Sequence, residues 1–129
     1  MIKFTGDINL TDWDFNFGFG IGSRIAEGFN PFHRLQRNDS DLWVGNFEGV
    51  ASDVTERKGM TSKVFRVSPS ALEGLMHFDV YGFANNHAMQ HGADAYGQTV
   101  AALEKYGSRV LAQKRINLFW LNIKARRFH

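Results

Sequence analysis

Apolar residues come along this chain in short runs broken by polar, glycine-containing stretches, and the runs switch between two periods. Ile2 to Ile8 alternates weakly and is rich in β-formers, which predicts a first strand. Leu42 to Phe47, "LWVGNF", predicts a second strand, and Val64 to Val67 a shorter third one. Phe78 to Ala84, "FDVYGFA", predicts the next. Ile116 to Ile123, "INLFWLNI", is apolar on both faces and predicts a closing strand inside a covered sheet. Helical spacing appears between these runs. Asn30-Pro31 offers an N-cap and a first-turn proline, with Phe32 and Leu35 facing inward. Ser68-Pro69 opens a second helix carrying Leu72, Leu75 and Met76. A third runs from about Gly92 to Tyr106, with Tyr96, Val100 and Leu103 on one face and Gly107 as its stop. Strands alternating with helices predict βαβ units and a mostly parallel sheet, hence an α/β layered domain.

Composition narrows this picture without changing it. The chain has 129 residues, 43% hydrophobic and 22% charged, with a formal net charge of +2. That suits one domain with a real core and argues against disorder. The basic excess is too small to imply nucleic acid. There is no cysteine, so disulfides and thiolate metal sites are excluded. No run approaches a membrane span, and "MIKFTGDINL" lacks the pattern of a signal peptide. Phe15 to Gly22, "FNFGFGIG", has neither the G-x-G-x-x-G spacing nor the Walker lysine, and reads as a mobile surface loop.

The chemistry gathers where strands end. "KFTGD" ends at Asp7, "WVGNFEG" carries Asn46 and Glu48, and "YGFANNH" ends at Asn85, Asn86 and His87. In open α/β sheets, ligands bind beyond the carboxyl ends of the strands. Mixed oxygen and nitrogen donors there suit Mn, Fe or Zn better than a calcium cage. Each residue alone has an ordinary reading. Asp7 caps a turn, Glu48 is a solvated loop acid, the asparagines serve a turn with positive φ, and His87 is a hydrogen-bonded structural residue. Delivered together by successive strands, they predict a site.

"TGDINL", "GNFEG" and "ANNHAMQHGADAYGQTVAALEKYG" resemble the successive motifs of CapA-type capsule and poly-γ-glutamate biosynthesis proteins, a branch of the calcineurin-like metallophosphoesterases. The resemblance runs from Lys3 to about Arg127. It implies a layered metallophosphoesterase-like α/β sandwich and two divalent metal ions in the full-length protein. Asp7 is then a ligand of the first metal, Glu48 a bridging carboxylate, and Asn86 a ligand of the second through its side-chain oxygen. His87 would stabilise phosphoryl oxygens or protonate the leaving group, with Asn85 making the turn that aims both. The implied substrate is a phosphoester or a polymer-related compound, and the family is often associated with the cell envelope.

The chain departs from the family pattern in places. Asn9 stands where the wider superfamily has histidine, and Gln90, followed by His91, stands where an acid usually follows the histidine. Gln90 brings no negative charge, which weakens the expected support for His87. The family's later histidine motifs are not found, and of the other histidines only His91 is placed to reach the site. The chain is therefore expected to be the N-terminal part, residues 1–129, of one domain incomplete at its C-terminus, weakly active or inactive alone, and self-associating or needing its missing half. The alternative is a degenerate, non-catalytic half-domain that serves binding or assembly.

Overall fold

The computed structural model describes residues 1–12, 19–53, 65–74 and 78–112. Along the chain these form β1 (Ile2–Ile8), α1 (Ile21–Ala26), β2 (Leu42–Phe47), β3 (Val50–Ala51), β4 (Arg66–Val67), a 3-10 turn (Pro69–Gly74), β5 (Val80–Phe83), α2 (Gly92–Lys105) and β6 (Arg109–Ala112). The larger sheet has the order β1-β2-β5-β6, and every pair in it is parallel. β3 and β4 form a small parallel pair beside it. The expected α/β class with a mostly parallel sheet is what the chain adopts.

Alternation along the strands sorts the faces of the sheet. Trp43, Phe47, Tyr81, Phe83, Val110 and Ala112 point to one face and are buried. Their aromatic rings meet edge-on, as in the Phe47–Tyr81 pair, whose centroids lie 5.8 Å apart. Helix α2 lies against this core with Ala95, Thr99, Ala102 and Leu103, while Tyr96 and Val100 are partly buried at its margin. The Thr99 hydroxyl fastens α2 to β3. It accepts from the Ala51 N–H at 2.9 Å and donates to the Ala95 carbonyl at 2.7 Å. α2 ends where Gly107 takes a φ of +89°, a conformation that costs glycine little and a side chain more.

Several expectations change. The sheet was expected to be covered on both sides. Among the described residues its second face leaves Ile2, Phe4, Leu42 and Leu111 exposed. The helix expected from Asn30-Pro31 is a turn. Asn30 Oδ1 does accept from the Phe32 N–H at 2.8 Å, but the residues beyond Phe32 supply no second apolar turn, and Leu35 stays exposed. The helix expected from Ser68-Pro69 is a short 3-10 turn that buries Leu72, and Leu75 and Met76 lie outside the described residues. Part of the supposed loop at Phe15 to Gly22 is helical, because α1 begins at Ile21. Asp12 secures that helix by accepting from the Ser23 N–H at 2.9 Å. The closing strand expected at 116–123 lies outside the described residues, and the short strand β6, bordering the sheet, was not expected at all.

The entry to the sheet is fixed by one acid. Asp79 accepts from Arg37 Nη2 at 2.6 Å and from the Trp43 N–H at 2.7 Å, clamping the starts of β2 and β5 together. Burial pushes this carboxyl upward, but the Arg37 guanidinium and the Trp43 N–H outweigh it and hold Asp79 below its usual value of 3.8. A depressed folded value means the clamp is fully stabilising above the unfolded value, and is lost as pH falls through the folded one. We expect Asp79→Asn to cost about 1 kcal/mol near neutral pH and to flatten the acid limb of the stability profile. Urea titrations across the acid range check this, and parallel profiles for the two proteins would contradict it.

Candidate functional site

Parallel pairing in register brings the carboxyl ends of β1, β2 and β5 side by side. Asp7 is paired with Asn46, and Asn46 with Gly82. Asn46 Nδ2 donates to Asp7 Oδ1 at 2.7 Å, while Asn46 Oδ1 accepts from Asn85 Nδ2 at 3.2 Å. The same Asn85 amide donates to the Phe47 carbonyl at 2.7 Å. One side-chain amide thus links the ends of all three strands. Beyond β2, Glu48 donates its N–H to the Ile8 carbonyl at 3.1 Å, which fixes the loop carrying its carboxylate. Gly49 follows with a φ of +111°, and a Cβ there would come within 3.0 Å of the Phe65 carbonyl oxygen. This turn is open to glycine because both its backbone and its space require it.

The "NNH" segment turns without positive φ at either asparagine, contrary to expectation. Asn85 does the turning through its side chain instead, with Oδ1 accepting from the His87 N–H at 3.0 Å. That places His87 in a buried position, 8% exposed, with both ring nitrogens engaged. Nδ1 meets Gln90 Oε1 at 3.0 Å, and Nε2 meets Asn86 Nδ2 at 3.0 Å. Gln90 Oε1 can only accept and Asn86 Nδ2 can only donate, so the two contacts select the neutral tautomer with hydrogen on Nδ1. Glu48 Oε1 lies 3.5 Å from Nε2, ready to pair with the ring when it is protonated. The Phe65 ring packs against the imidazole, with centroids 4.1 Å apart and planes 39° apart.

The remaining candidates divide. Asn9 Oδ1 is taken by the Thr11 N–H at 3.0 Å and the Thr11 hydroxyl at 2.7 Å. Its amide faces Glu48 Oε2 at 3.4 Å, so in this arrangement Asn9 offers a donor to Glu48 and no oxygen to a metal. His91 is buried at the N-cap position of α2, and the side chain that reaches His87 is that of its neighbour Gln90. His33 sits exposed in its turn beside the Asn30 carbonyl. His77 and His129 lie outside the described residues. Two contributors were missed as such. Phe65 carries no motif, and Gln90 looked like the loss of an acid, yet it supplies the acceptor that fixes the ring.

Asp7, Glu48, Asn86 and His87 therefore share one connected polar network. Within it Asp7 and Asn46 form one part, and Glu48, Asn86 and His87 the other, with Asn85 between them. Among the described residues no three His, Asp or Glu side chains gather closely enough to hold a metal ion. A cavity of about 220 Å³ opens beside Asp7 and Asn9, walled by Ile21, Phe32 and Phe78.

The sequence profile described as bacterial capsule synthesis protein PGA_cap matches residues 2–112. The chain belongs to this family of bacterial capsule synthesis proteins. Comparison with curated proteins gave no match. The family's matched region contains every strand of the described fold and the whole polar network, so the capsule-synthesis assignment and the geometry concern the same residues. No helix among the described residues is long and apolar enough to cross a membrane.

The role of Gln90 in this PGA_cap site is open to direct measurement. Replacing it by leucine leaves a buried imidazole N–H without its acceptor, a loss of about 1–3 kcal/mol. We expect Gln90→Leu to lower the urea midpoint accordingly and to alter the tautomer-sensitive nitrogen shifts of His87. An unchanged midpoint with unchanged shifts would show that Gln90 does not hold the ring.

Proposed function

We propose that this capsule-synthesis protein handles a phosphoester-type group at the carboxyl end of its sheet, with His87 as the proton-handling residue and Asp7, Glu48 and Asn86 as donors to a divalent cation. The supporting observation is the placement of Glu48 and Asn86 on either side of His87 Nε2 while Nδ1 is anchored to Gln90. An imidazole held at one nitrogen presents the other in a fixed direction, which general acid catalysis requires.

The donors fit a cation in their chemistry. Among the described residues, exposed Asp7 gives only Oδ1 to Asn46, and the Glu48 oxygens have only the long contacts, 3.4 and 3.5 Å, to Asn9 and His87. Both carboxylates keep lone pairs to spare. Asn86 is exposed, and its amide nitrogen is the atom turned to His87, which leaves Oδ1 for another partner. Carboxylate, amide and imidazole together suit Mn, Fe or Zn. A divalent cation, when bound, supplies the positive charge that polarises a phosphoryl oxygen.

The chain's own residues do the rest. Asn46 and Asn85 hold the three strand ends in register, Asn9 orients Glu48, and Gln90 sets the His87 tautomer. In that neutral form Nε2 carries a lone pair. That lone pair accepts from Asn86 Nδ2, so this contact gives way when Nε2 takes up a proton, with Glu48 beside it to stabilise the imidazolium before the proton passes to a departing oxygen. Removing the proton-handling step while keeping the donors is the informative comparison.

Manganese titration of the protein, with and without substitutions, tests this reading. We expect Asp7→Asn and Glu48→Gln each to weaken Mn²⁺ binding by about tenfold or more. His87→Ala should leave binding within about threefold but lower turnover of an aryl phosphate by ~10²–10⁴. Manganese affinity indifferent to both carboxylate substitutions would overturn the proposal and favour a binding or assembly role without catalysis.

A further inference from the structure

A second cavity among the described residues lies apart from Asp7, Glu48, Asn86 and His87. It encloses about 460 Å³ between α1 and the β4–3-10 segment, and its walls include Asp12, Ser23, Arg66, Ser68, Ser70 and Ile25. Arg66 is the residue after Phe65, and adjacent residues of an extended segment point to opposite sides. One short stretch therefore sends the Phe65 ring to His87 and the Arg66 side chain into this second cavity.

Arg66 is the unusual member. Its Nη1 donates to the Ser52 carbonyl at 2.9 Å, which fixes the half-buried side chain in place. No carboxylate pairs with it among the described residues, although Asp41 and Asp79 each hold a cation elsewhere. A guanidinium has five N–H donors, so most of its fork remains for a ligand. Ser68 and Ser70 line the same cavity, and their hydroxyls lie 3.0 Å from each other with further hydrogen-bonding capacity on each. A tethered arginine sharing a cavity with hydroxyls is the chemistry that grips a planar oxyanion, the guanidinium giving two parallel bonds.

The other walls narrow the ligand. Asp12 brings a negative charge to the same cavity, held by the Ser23 N–H and hydroxyl. A carboxylate among the walls repels an anion, so the cavity disfavours the double charge of a phosphate more than a single charge. Ile25, Ala26, Val67 and Ala71 line the remainder and suit an aliphatic body. We infer that this cavity is a second ligand site, which binds a monocarboxylate with a short aliphatic body through Arg66, Ser68 and Ser70. The inference is independent of the role proposed for His87.

Chemical-shift titration of the whole chain tests it, with butyrate, its neutral isostere butyramide and inorganic phosphate as probes. Butyrate is expected to saturate the amides around Arg66 at roughly millimolar concentration. Butyramide and phosphate should each bind about tenfold more weakly or worse. Arg66→Gln should weaken butyrate by about tenfold or more, and Arg66→Lys by less, since lysine loses the fork but keeps the charge. Should Arg66→Gln fail to fold through loss of the Ser52 contact, Ser70→Ala decides, with an expected weakening of about threefold. Phosphate binding as tightly as butyrate, or butyrate affinity unchanged in the variants, would overturn the assignment. Butyrate affinity retained in His87→Ala would show that this site stands apart from the first, and its loss there would overturn that separation.

Discussion

Asn46 is the constraint on which the polar end of this domain depends. Its side chain donates to Asp7 on one neighbouring strand and accepts from Asn85 beyond the other. Each bond contributes only about 0.5–1.5 kcal/mol net. Their importance lies in position. Asp7, Glu48 and His87 come from chain segments far apart in sequence, and parallel pairing alone sets their heights along the sheet. The Asn46 amide adds a side-chain tie across the three strand ends to the backbone pairing that sets their register. Asn85 then passes the tie to His87 by turning the chain with its own side chain.

The same logic explains why glutamine suffices at position 90. A carboxylate there would orient the imidazole and also raise its affinity for a proton. Gln90 retains the first effect through its carbonyl oxygen and gives up the second. Glu48 Oε1, 3.5 Å from Nε2, then brings a negative charge to the ring. The negative charge then stands on the Nε2 side of the ring, with a neutral acceptor at Nδ1.

Much of the fold was legible in sequence because β-rich runs at β1, β2 and β5 are bounded by polar residues, and α2 carries a stop at Gly107. What escaped notice was short or locally ambiguous. β6 is four residues long and β3 two, too brief for period to show. α1 hides in glycine-rich sequence and is secured by Asp12, eleven residues before Ser23. The Asn30 turn shows the converse, since a good cap does not make a helix without an apolar stripe behind it. For the site, residue types at strand ends pointed to Asp7, Asn46, Glu48, Asn85, Asn86 and His87. Partners were harder to read. That Asn9 spends its oxygen on Thr11, or that Phe65 packs on His87, depends on side-chain directions that spacing does not encode.

Asp7, Glu48, Asn86 and His87 are proposed to serve one cation-dependent site. Anomalous diffraction from manganese-soaked crystals of the protein tests it most directly. A peak is expected at the carboxyl end of the sheet, with Glu48 and Asp7 or Asn86 oxygens about 2.0–2.3 Å away. A fully loaded crystal with its manganese elsewhere, and Glu48 still facing an unliganded His87, would contradict it.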